Sequence, residues 1–423
     1  MTIAQLYHIY QQHPSVQTDT RKLQPGDIFF ALKGPNFNGN AYAKAALDAG
    51  AAVAVIDEEA YFTQPDKMML VPDVLEALQQ LALHHRQQFS IPFIGITGSN
   101  GKTTTKELVK TVLETTYKTV ATVGNLNNHI GVPLTILSIP ADTEMAVIEM
   151  GANHQLEIEG YCKVALPTHG LITNIGKAHL EGFGGPEGVK KAKGELYDYL
   201  RANNGTVFYF SGYDYLAEMS KGIPHVITYG AEHADYTGEA VPGTALLEFK
   251  AGGEHIRTQL VGAYNLPNAL AAFAIGRHFN IPADVIKKAI EGYVPSNNRS
   301  QIMPLGSNLV IMDAYNANPS SMKAAIENFA GLEAESKVLL LGGMMELGDD
   351  SVKEHQELIK LLERTHWKAV VLVGGDFAKV QHPYIFLKNA EEAKRWLDAQ
   401  GFENTHLLIK GSRSVGMEKV IQS

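Results

Sequence analysis

FIGITGSNGKTTTKELV, residues 93–109, is an apolar run that breaks into glycines, a lysine and three threonines before turning amphipathic. Phe93 to Thr97 is β-prone and bounded by turn residues, and helical spacing runs from Lys102 through Leu108, Val112 and Leu113. Gly98 to Gly101 is therefore a strand-to-helix loop. Glycines let backbone N–H groups approach anionic oxygens, and the following helix N-terminus adds positive potential. Lys102 places a cation on the outer phosphates of a nucleotide, and Thr103 offers a hydroxyl to Mg2+. The spacing is a variant of the usual phosphate loop, because Ile96 stands six residues before Lys102 and the nearest earlier glycine is Gly95.

Working outward, the 423-residue chain is 45% hydrophobic and 19% charged, an ordinary globular composition long enough for two to four domains. A net charge of −9 with no long basic run argues against nucleic acid as the main partner, leaves room for a local cationic pocket that holds an anionic small molecule, and favours a metabolite enzyme. The single cysteine, Cys162, excludes an intramolecular disulfide and is expected to be a buried packing residue. The start MTIAQLYHIYQQHP lacks the basic and apolar regions of a signal peptide, and no apolar run is long enough to span a membrane, so a cytoplasmic location is expected. With no evident self-pairing element, a monomer is expected.

The pattern resets twice, predicting three α/β domains over residues 1–88, 89–296 and 297–423. The first carries strands at QPGDIFFAL and AAVAVI and helices over 41–49 and 74–87. The second continues from the phosphate loop with strands at MAVIEM, HGLITNI and TVFYF, as in a mostly parallel sheet covered on both faces. It then predicts a hairpin turning at Gly252 and Gly253, and the helix LPNALAAFAIGRHF closes it. The third alternates strands NLVIMDA, KVLLLGG, AVVLVGG and HLLIKG with helices, a doubly wound, Rossmann-like pattern.

The polar signals fall at the ends of these strands, where open α/β sheets place ligands. Glu149 ends a buried strand, a costly place for a charge unless it meets a cation; a Mg2+ ligand and a cap are both open readings. His179 follows HGLITNI through a turn, a position that suits a solvent-exposed or capping residue as well as a ligand. Lys190 and Lys191 fit a solvated helix face. Asp313 ends a strand, and Pro319 and Ser320 open a helix, so DAYNANPSSM suits a cap or a nucleotide pocket.

GITGSNGKTTT, VGNLNNHIGVPLTIL, AVIEMGANH, ITNIGKAHLEGFG, KAKGELYD, YNLPNALAA, NNR and DAYNANPSSM occur in the order seen in the Mur ligases. The chain resembles these ATP-dependent amide-forming enzymes of bacterial peptidoglycan synthesis over nearly its whole length. TDTRKLQPGDIFFALKG resembles the UDP-binding start of the third and fourth ligases, and LGGMMELG and LIKGSRSVGMEKVI resemble the ligase acting last. The resemblance implies ATP-driven joining of D-alanyl-D-alanine to the terminal carboxylate of UDP-N-acetylmuramoyl tripeptide through an acyl phosphate. A related ligase adding diaminopimelate or lysine, and a non-catalytic scaffold, are the alternatives.

By resemblance, Lys102, His179 and Lys193 are the catalytic set. Gly98, Asn100, Gly101, Lys102, Thr103 and Thr104 hold the ATP phosphates, Asn268 the adenine, and Arg299 and Asp313 the rest of the nucleotide. Thr103, Glu149, His179 and a carbamylated Lys193 are the implied ligands of two Mg2+ ions, a carbamate turning a repelling cation into an anionic oxygen ligand. Thr18, Asp19, Thr20 and Arg21 match the uridine-diphosphate site, and Asn125, Asn316 and Asn318 are the implied contacts to the peptide substrates. The sequence departs from the family pattern at Tyr264, where the pattern has histidine, at Asn38-Gly39-Asn40 for DGH, at Leu341-Gly342-Gly343-Met344 for LGDM, and at Asn153 to Ile158, where NHPGEI reads NHQLEI.

Overall fold

The computed structural model describes residues 2–295 and 298–422 as three α/β units, each built on one large sheet, with a small two-stranded sheet (Lys33–Gly34 and Phe37–Asn38) in the first. The expected boundary between residues 296 and 297 lies outside the described residues.

The central sheet has nine strands. Phe93–Thr97 lies in parallel between His169–Ile172 and Met145–Glu149, all apolar and buried on both faces apart from the polar His169, Thr97 and Glu149. The chain leaves Phe93–Thr97 first toward one side of the sheet (Thr119–Ala121, Met145–Glu149) and later returns to the other (His169–Ile172, Thr206–Phe210). That reversal opens a crevice at the carboxyl ends of these strands. Ile172 pairs with Thr97 and Ile96 with Glu149, so the loops after all three strands emerge side by side.

Beyond Thr206–Phe210 the sheet adds His225–Gly230 and Tyr236–Ala240 and ends in the antiparallel hairpin Leu246–Ala251 and Glu254–Val261, turning at Gly252 and Gly253 as expected. The helix Lys102–Leu113 buries Leu108, Val109, Val112 and Leu113 against Leu266–His278, an almost wholly buried helix. A further helix, Ala283–Gly292, follows before the crossing to the C-terminal unit, so Leu266–His278 does not close this part of the chain.

The N-terminal unit has a four-stranded parallel sheet of Val16–Gln17, Ile28–Phe30, Val53–Ile56 and Met68–Leu70. Its helix Val74–Arg86 joins it to the centre through an apolar face and two buried polar residues. Arg86 donates to the carbonyls of Ala165 (2.7 Å) and Leu166 (2.9 Å), while His85 Nε2 lies 3.0 Å from the Ile139 carbonyl. Those carbonyls end a helix and lack helical partners, so Arg86 meets their hydrogen-bond demand and the dipole together. Cys162 is buried nearby, and desolvation pushes its thiol up.

The C-terminal sheet places Asn308–Asp313, His406–Lys410, Lys337–Gly342, Ala369–Val373 and Ile385–Leu387 in parallel, with Gln301–Leu305 antiparallel on one edge. The carboxyl ends of Asn308–Asp313 and His406–Lys410 face the central crevice, since Asp313, Lys410 and Ser412 line the same cleft as Lys102 and Glu149.

Candidate active site

The phosphate loop is held by its neighbour. Ser99 N–H donates to the Asn174 carbonyl (2.9 Å), Asn100 N–H to Asn174 Oδ1 (3.1 Å), and Ser99 Oγ to the Gly176 carbonyl (3.1 Å). Two glycines are required here. Gly98 has φ +140°, and a Cβ would stand 2.0 Å from Thr173 Oγ1; Gly101 has φ +80°, and a Cβ would stand 2.5 Å from Asn268 Oδ1. Lys102 Nζ lies at the mouth of the loop, donating to the carbonyls of Gly98 (2.7 Å) and Ser99 (3.2 Å). Burial lowers its pKa, while the facing Glu149 works in the opposite direction.

Glu149 is 1% exposed. Its Oε1 accepts from Thr103 Oγ1 (3.1 Å) and Asn127 Nδ2 (2.7 Å), and its Oε2 is buried with no hydrogen-bond partner among the described residues. An unpartnered buried carboxylate oxygen beside a threonine hydroxyl suits a divalent cation. One carboxylate and one hydroxyl make a donor set that fits Mg2+, which takes one or two carboxylates and completes its shell with water and phosphate oxygens.

Lys193, on the helix Pro186–Ala202, is 1% exposed, with Nζ 3.3 Å from the Ala152 carbonyl and 4.8 Å from the centre of the Phe183 ring. Desolvation, reinforced by the positive charge of Lys102, holds its pKa well below that of a free lysine, which favours a neutral, nucleophilic amine. Glu195, two residues on, accepts from the N–H groups of Leu156 (2.6 Å) and Glu159 (3.0 Å) and so caps the helix that follows Ala152. His179 lines the cleft with φ +51°, and its Nδ1 approaches Glu346 Oε2 of the C-terminal unit to 2.6 Å, off the line of a straight hydrogen bond. That approach holds the Glu346 carboxyl below its ordinary pKa.

The cleft these groups share has a volume of about 1100 Å³. It brings together Asn100 to Thr104, Asn125, Glu149, His179, Asn268, Arg299, Asp313, Asn316 and Asn318. Asn268 accepts from Thr105 Oγ1 (3.1 Å) and donates to Asn265 Oδ1 (2.8 Å). Asp313 accepts from the Ser300 N–H (3.2 Å) and pairs with the buried Lys410 at 2.6 Å. Asn318 caps the helix Pro319–Gly331 and also donates to Asn100 Oδ1 (2.7 Å). Lys193 lies just behind the cleft wall formed by Ala152. Thr18, Asp19, Thr20 and Arg21 are not part of this lining; they form a turn on the N-terminal unit in which Asp19 pairs with Arg21 at 2.7 Å.

Three family descriptions match the chain in succession: the Mur ligase family catalytic domain over residues 14–86, the Mur ligase middle domain over 96–276, and the Mur ligase glutamate ligase domain over 298–413. A UDP-N-acetylmuramoyl-tripeptide–D-alanyl-D-alanine ligase of Bacillus subtilis is 39% identical over 351 residues, covering 81% of this chain and 76% of the relative. The chain is a Mur ligase. The similarly named Escherichia coli enzyme is 33% identical over 97% of this chain and 93% of its own. Among solved structures, MurF from Acinetobacter baumannii superposes with a TM-score of 0.88 at 30% identity, covering 99% and 97% of the two chains. MurF from Thermotoga maritima in complex with ADP gives 0.85 at 26% identity, covering 96% of each.

Within this Mur ligase, the departures from the family pattern have local causes. Gly343 stands where the pattern carries an acid because a Cβ there would lie 2.7 Å from the Gly375 backbone. Tyr264 reaches out of the central unit to place its hydroxyl 3.1 Å from Ser300 Oγ, at the crossing to the C-terminal unit. Asn40 is 1% exposed and satisfied by Asp57, donating to its carboxylate at 2.8 Å and accepting from its N–H at 3.0 Å. Asn127, Glu346, Tyr315, Lys410 and Arg413 also belong to the cleft and were not singled out by sequence. For Asn127 the run of asparagines in NLNNH was the available signal.

Proposed function

We infer that this Mur ligase joins D-alanyl-D-alanine to the terminal carboxylate of UDP-N-acetylmuramoyl tripeptide, using ATP and releasing ADP and phosphate. The observation that carries the reading is one cleft in which the phosphate loop, the open carboxylate oxygen of Glu149 and the strand ends of the C-terminal unit converge, in a chain similar throughout to ligases of that name.

A carboxylate is a poor electrophile at neutral pH. Transfer of the γ-phosphoryl group of ATP to it gives an acyl phosphate, and attack by the dipeptide amine expels phosphate and forms the amide. Such a transfer needs mostly positioning and charge neutralisation. In our reading the loop N–H groups, Lys102 and Thr104 hold the phosphates, Asn268 the adenine, and Arg299 and Asp313 the remainder of the nucleotide. Thr103 and Glu149 would hold one Mg2+, and His179 and Lys193 a second, with Lys193 carbamylated; the ions supply charge neutralisation of the phosphoryl oxygens. Thr18 to Arg21 receive the uridine diphosphate, and Asn125, Asn316 and Asn318 the peptide ends.

Contacts join the central and C-terminal units beside the cleft, and closure of those units over bound substrates would exclude water, as an acyl phosphate requires. They include the Lys177–Glu354 pair at 2.5 Å and the Lys177 N–H to Ser320 Oγ bond at 3.2 Å. No helix among the described residues is long and apolar enough to cross a membrane. We place the enzyme in the cytoplasm, where ATP is available, as a monomer; sedimentation as a stable dimer at micromolar concentration overturns the monomer.

The test is phosphate release from ATP with Mg2+, bicarbonate, D-alanyl-D-alanine and UDP-N-acetylmuramoyl tripeptide, omitting one component at a time. Release requiring both peptide substrates, with a product heavier by the dipeptide minus water, is expected. Release with a free amino acid in place of the dipeptide moves the specificity within the family.

A further inference from the structure

Beside the main cleft lies a smaller space of about 290 Å³ lined by Thr103, Gly124, Asn125, Asn298, Arg299, Ala314, Tyr315, Arg413 and Glu418. Thr103, Asn125, Arg299, Tyr315 and Arg413 line both spaces, so the smaller is an alcove of the larger. Two cations flank one aromatic ring in it: the guanidinium carbon of Arg299 is 3.5 Å from the Tyr315 ring centre and that of Arg413 is 5.3 Å away. Among the described residues the arginine ion pairs belong to Arg21, Arg201 and Arg257, so both alcove guanidiniums are without an acidic partner. Arg299 Nε is buried and makes no hydrogen bond among the described residues. Glu418 stands on the wall without pairing with either.

The other polar groups of the run that carries Arg413 are committed internally. Lys410 Nζ is bound by Asp313 and by the Asn316 carbonyl, and Ser412 Oγ accepts from the Met345 N–H (3.1 Å) and donates to the Ala317 carbonyl (3.3 Å). Arg413 alone extends a charged fork from this strand end into the cleft, and a guanidinium fork matches a carboxylate. The phosphate groups already have the loop, Lys102 and a helix N-terminus in the main cleft.

We propose that Arg413, braced on Tyr315 beside Arg299, binds the C-terminal carboxylate of the acceptor dipeptide in this alcove and makes the enzyme select a free carboxylate there. The inference rests on the ligase reading above. A dipeptide spans roughly 7 Å when extended, so its carboxylate can sit in the alcove while its amine lies in the main cleft by Thr103. The carboxylate is chemically silent in the reaction, so the contact acts on binding rather than on the chemical step.

The experiment compares D-alanyl-D-alanine with its C-terminal amide as acceptor for the wild type, Arg413→Ala and Arg413→Lys. The wild type is expected to prefer the acid over the amide at least tenfold in kcat/KM. In Arg413→Ala the KM for the dipeptide rises about tenfold or more, the KM for ATP stays within twofold, and the acid-to-amide preference falls toward one; Arg413→Lys restores part of the preference. A wild type that uses the amide as well as the acid overturns the proposal whatever the variants do. So does an Arg413→Ala enzyme with its preference intact, or one whose ATP KM rises while that of the dipeptide does not, which assigns the arginine to a nucleotide phosphate. Failure of the ligase reading looks different: the wild type then shows no dipeptide-dependent phosphate release.

Discussion

Asn318 donates its side-chain amide to Asn100 Oδ1 at 2.7 Å, tying the first turn of a C-terminal helix directly to the phosphate loop. The same side chain accepts from the Ser321 N–H at 2.9 Å as the helix cap. Its two atoms thus serve separate purposes, and substitutions can separate them. Asn318→Ala loses both and should cost about 1 kcal/mol of stability through the cap alone. Asn318→Ser keeps a capping oxygen but cannot span to Asn100; its melting temperature should stay near the wild type while kcat/KM for ATP falls roughly fivefold, one hydrogen bond's worth. Wild-type kinetics in the serine variant would show the bridge to be incidental.

Glu149 carries a buried oxygen with no partner among the described residues, in a place the fold could have filled with an amide. Glu149→Gln should therefore leave the unliganded protein as stable as the wild type, or more so by up to about 1 kcal/mol, because an under-solvated charge is removed. Activity should fall by a factor on the order of 100 or more, since charge at the transferring phosphoryl group is the main demand of the reaction. Thermal unfolding without nucleotide and turnover with Mg2+ check the two halves. Retained turnover would remove Glu149 from the metal site.

Lys193 sits where an ammonium is disfavoured, 1% exposed and in the field of Lys102. A neutral amine can add CO2, and the resulting carbamate has the charge and oxygen donors that a metal ligand needs. Lys193→Ala should lose most activity and regain part of it with short carboxylic acids such as acetate or formate. Absence of rescue, together with an unmodified mass for the intact protein prepared in bicarbonate, counts against the carbamate while leaving the amide-ligase assignment in place.

Fold legibility followed periodicity. Phe93–Thr97, Lys102–Leu113 and the hairpin at Gly252 and Gly253 all form as expected because their patterns are long or their turn residues unambiguous. Gln301–Leu305 went unseen because it is an edge strand carrying Pro304, and Ile385–Leu387 because three residues show no period. Of the cleft residues, Lys102 and Thr103 were legible from the glycine-rich strand-to-helix loop, and Glu149 from a charge at the end of a buried strand. Glu346 and Arg413 were not, since each enters the cleft through tertiary packing: Glu346 meets His179 from another unit, and Arg413 meets a ring on a different strand's loop.

His169 is packed beside Phe208, His278 and Phe279, and burial, with a smaller contribution from His278, depresses its pKa to about 4. The unfolded chain takes up its proton near 6.5, whereas the folded protein resists until about 4. Between these values the unfolded state binds more protons, so stability present above pH 6.5 is lost as pH falls, on the order of 3 kcal/mol at most from this group. His169→Phe keeps a ring against Phe208 and removes the titration. Denaturant unfolding at pH 7.5 and 4.5 should show a smaller acid loss in the variant; parallel losses would place the acid sensitivity elsewhere.

Leu156 occupies the left-handed region at φ +69°, 65% exposed, in a loop held by the Leu156 N–H to Glu195 Oε1 bond at 2.6 Å. The family pattern has glycine here, and the geometry explains why: a Cβ in this region costs about 1–2 kcal/mol, while an exposed leucine returns little by burial. Glycine removes that strain but adds roughly 0.5–1 kcal/mol of unfolded-state entropy, so Leu156→Gly should be neutral to modestly stabilising. The sharper comparison is with Leu156→Ala, which keeps the strained Cβ and lacks the glycine entropy. At an ordinary position alanine is the more stable of the two; at 156 glycine should be more stable than alanine by about 0.5 kcal/mol. Alanine winning by the usual margin in urea unfolding would mean that the loop relaxes out of the left-handed region at no cost, and that the carbonyl of Ala152 beside Lys193 is less rigidly placed than the Glu195 cap implies.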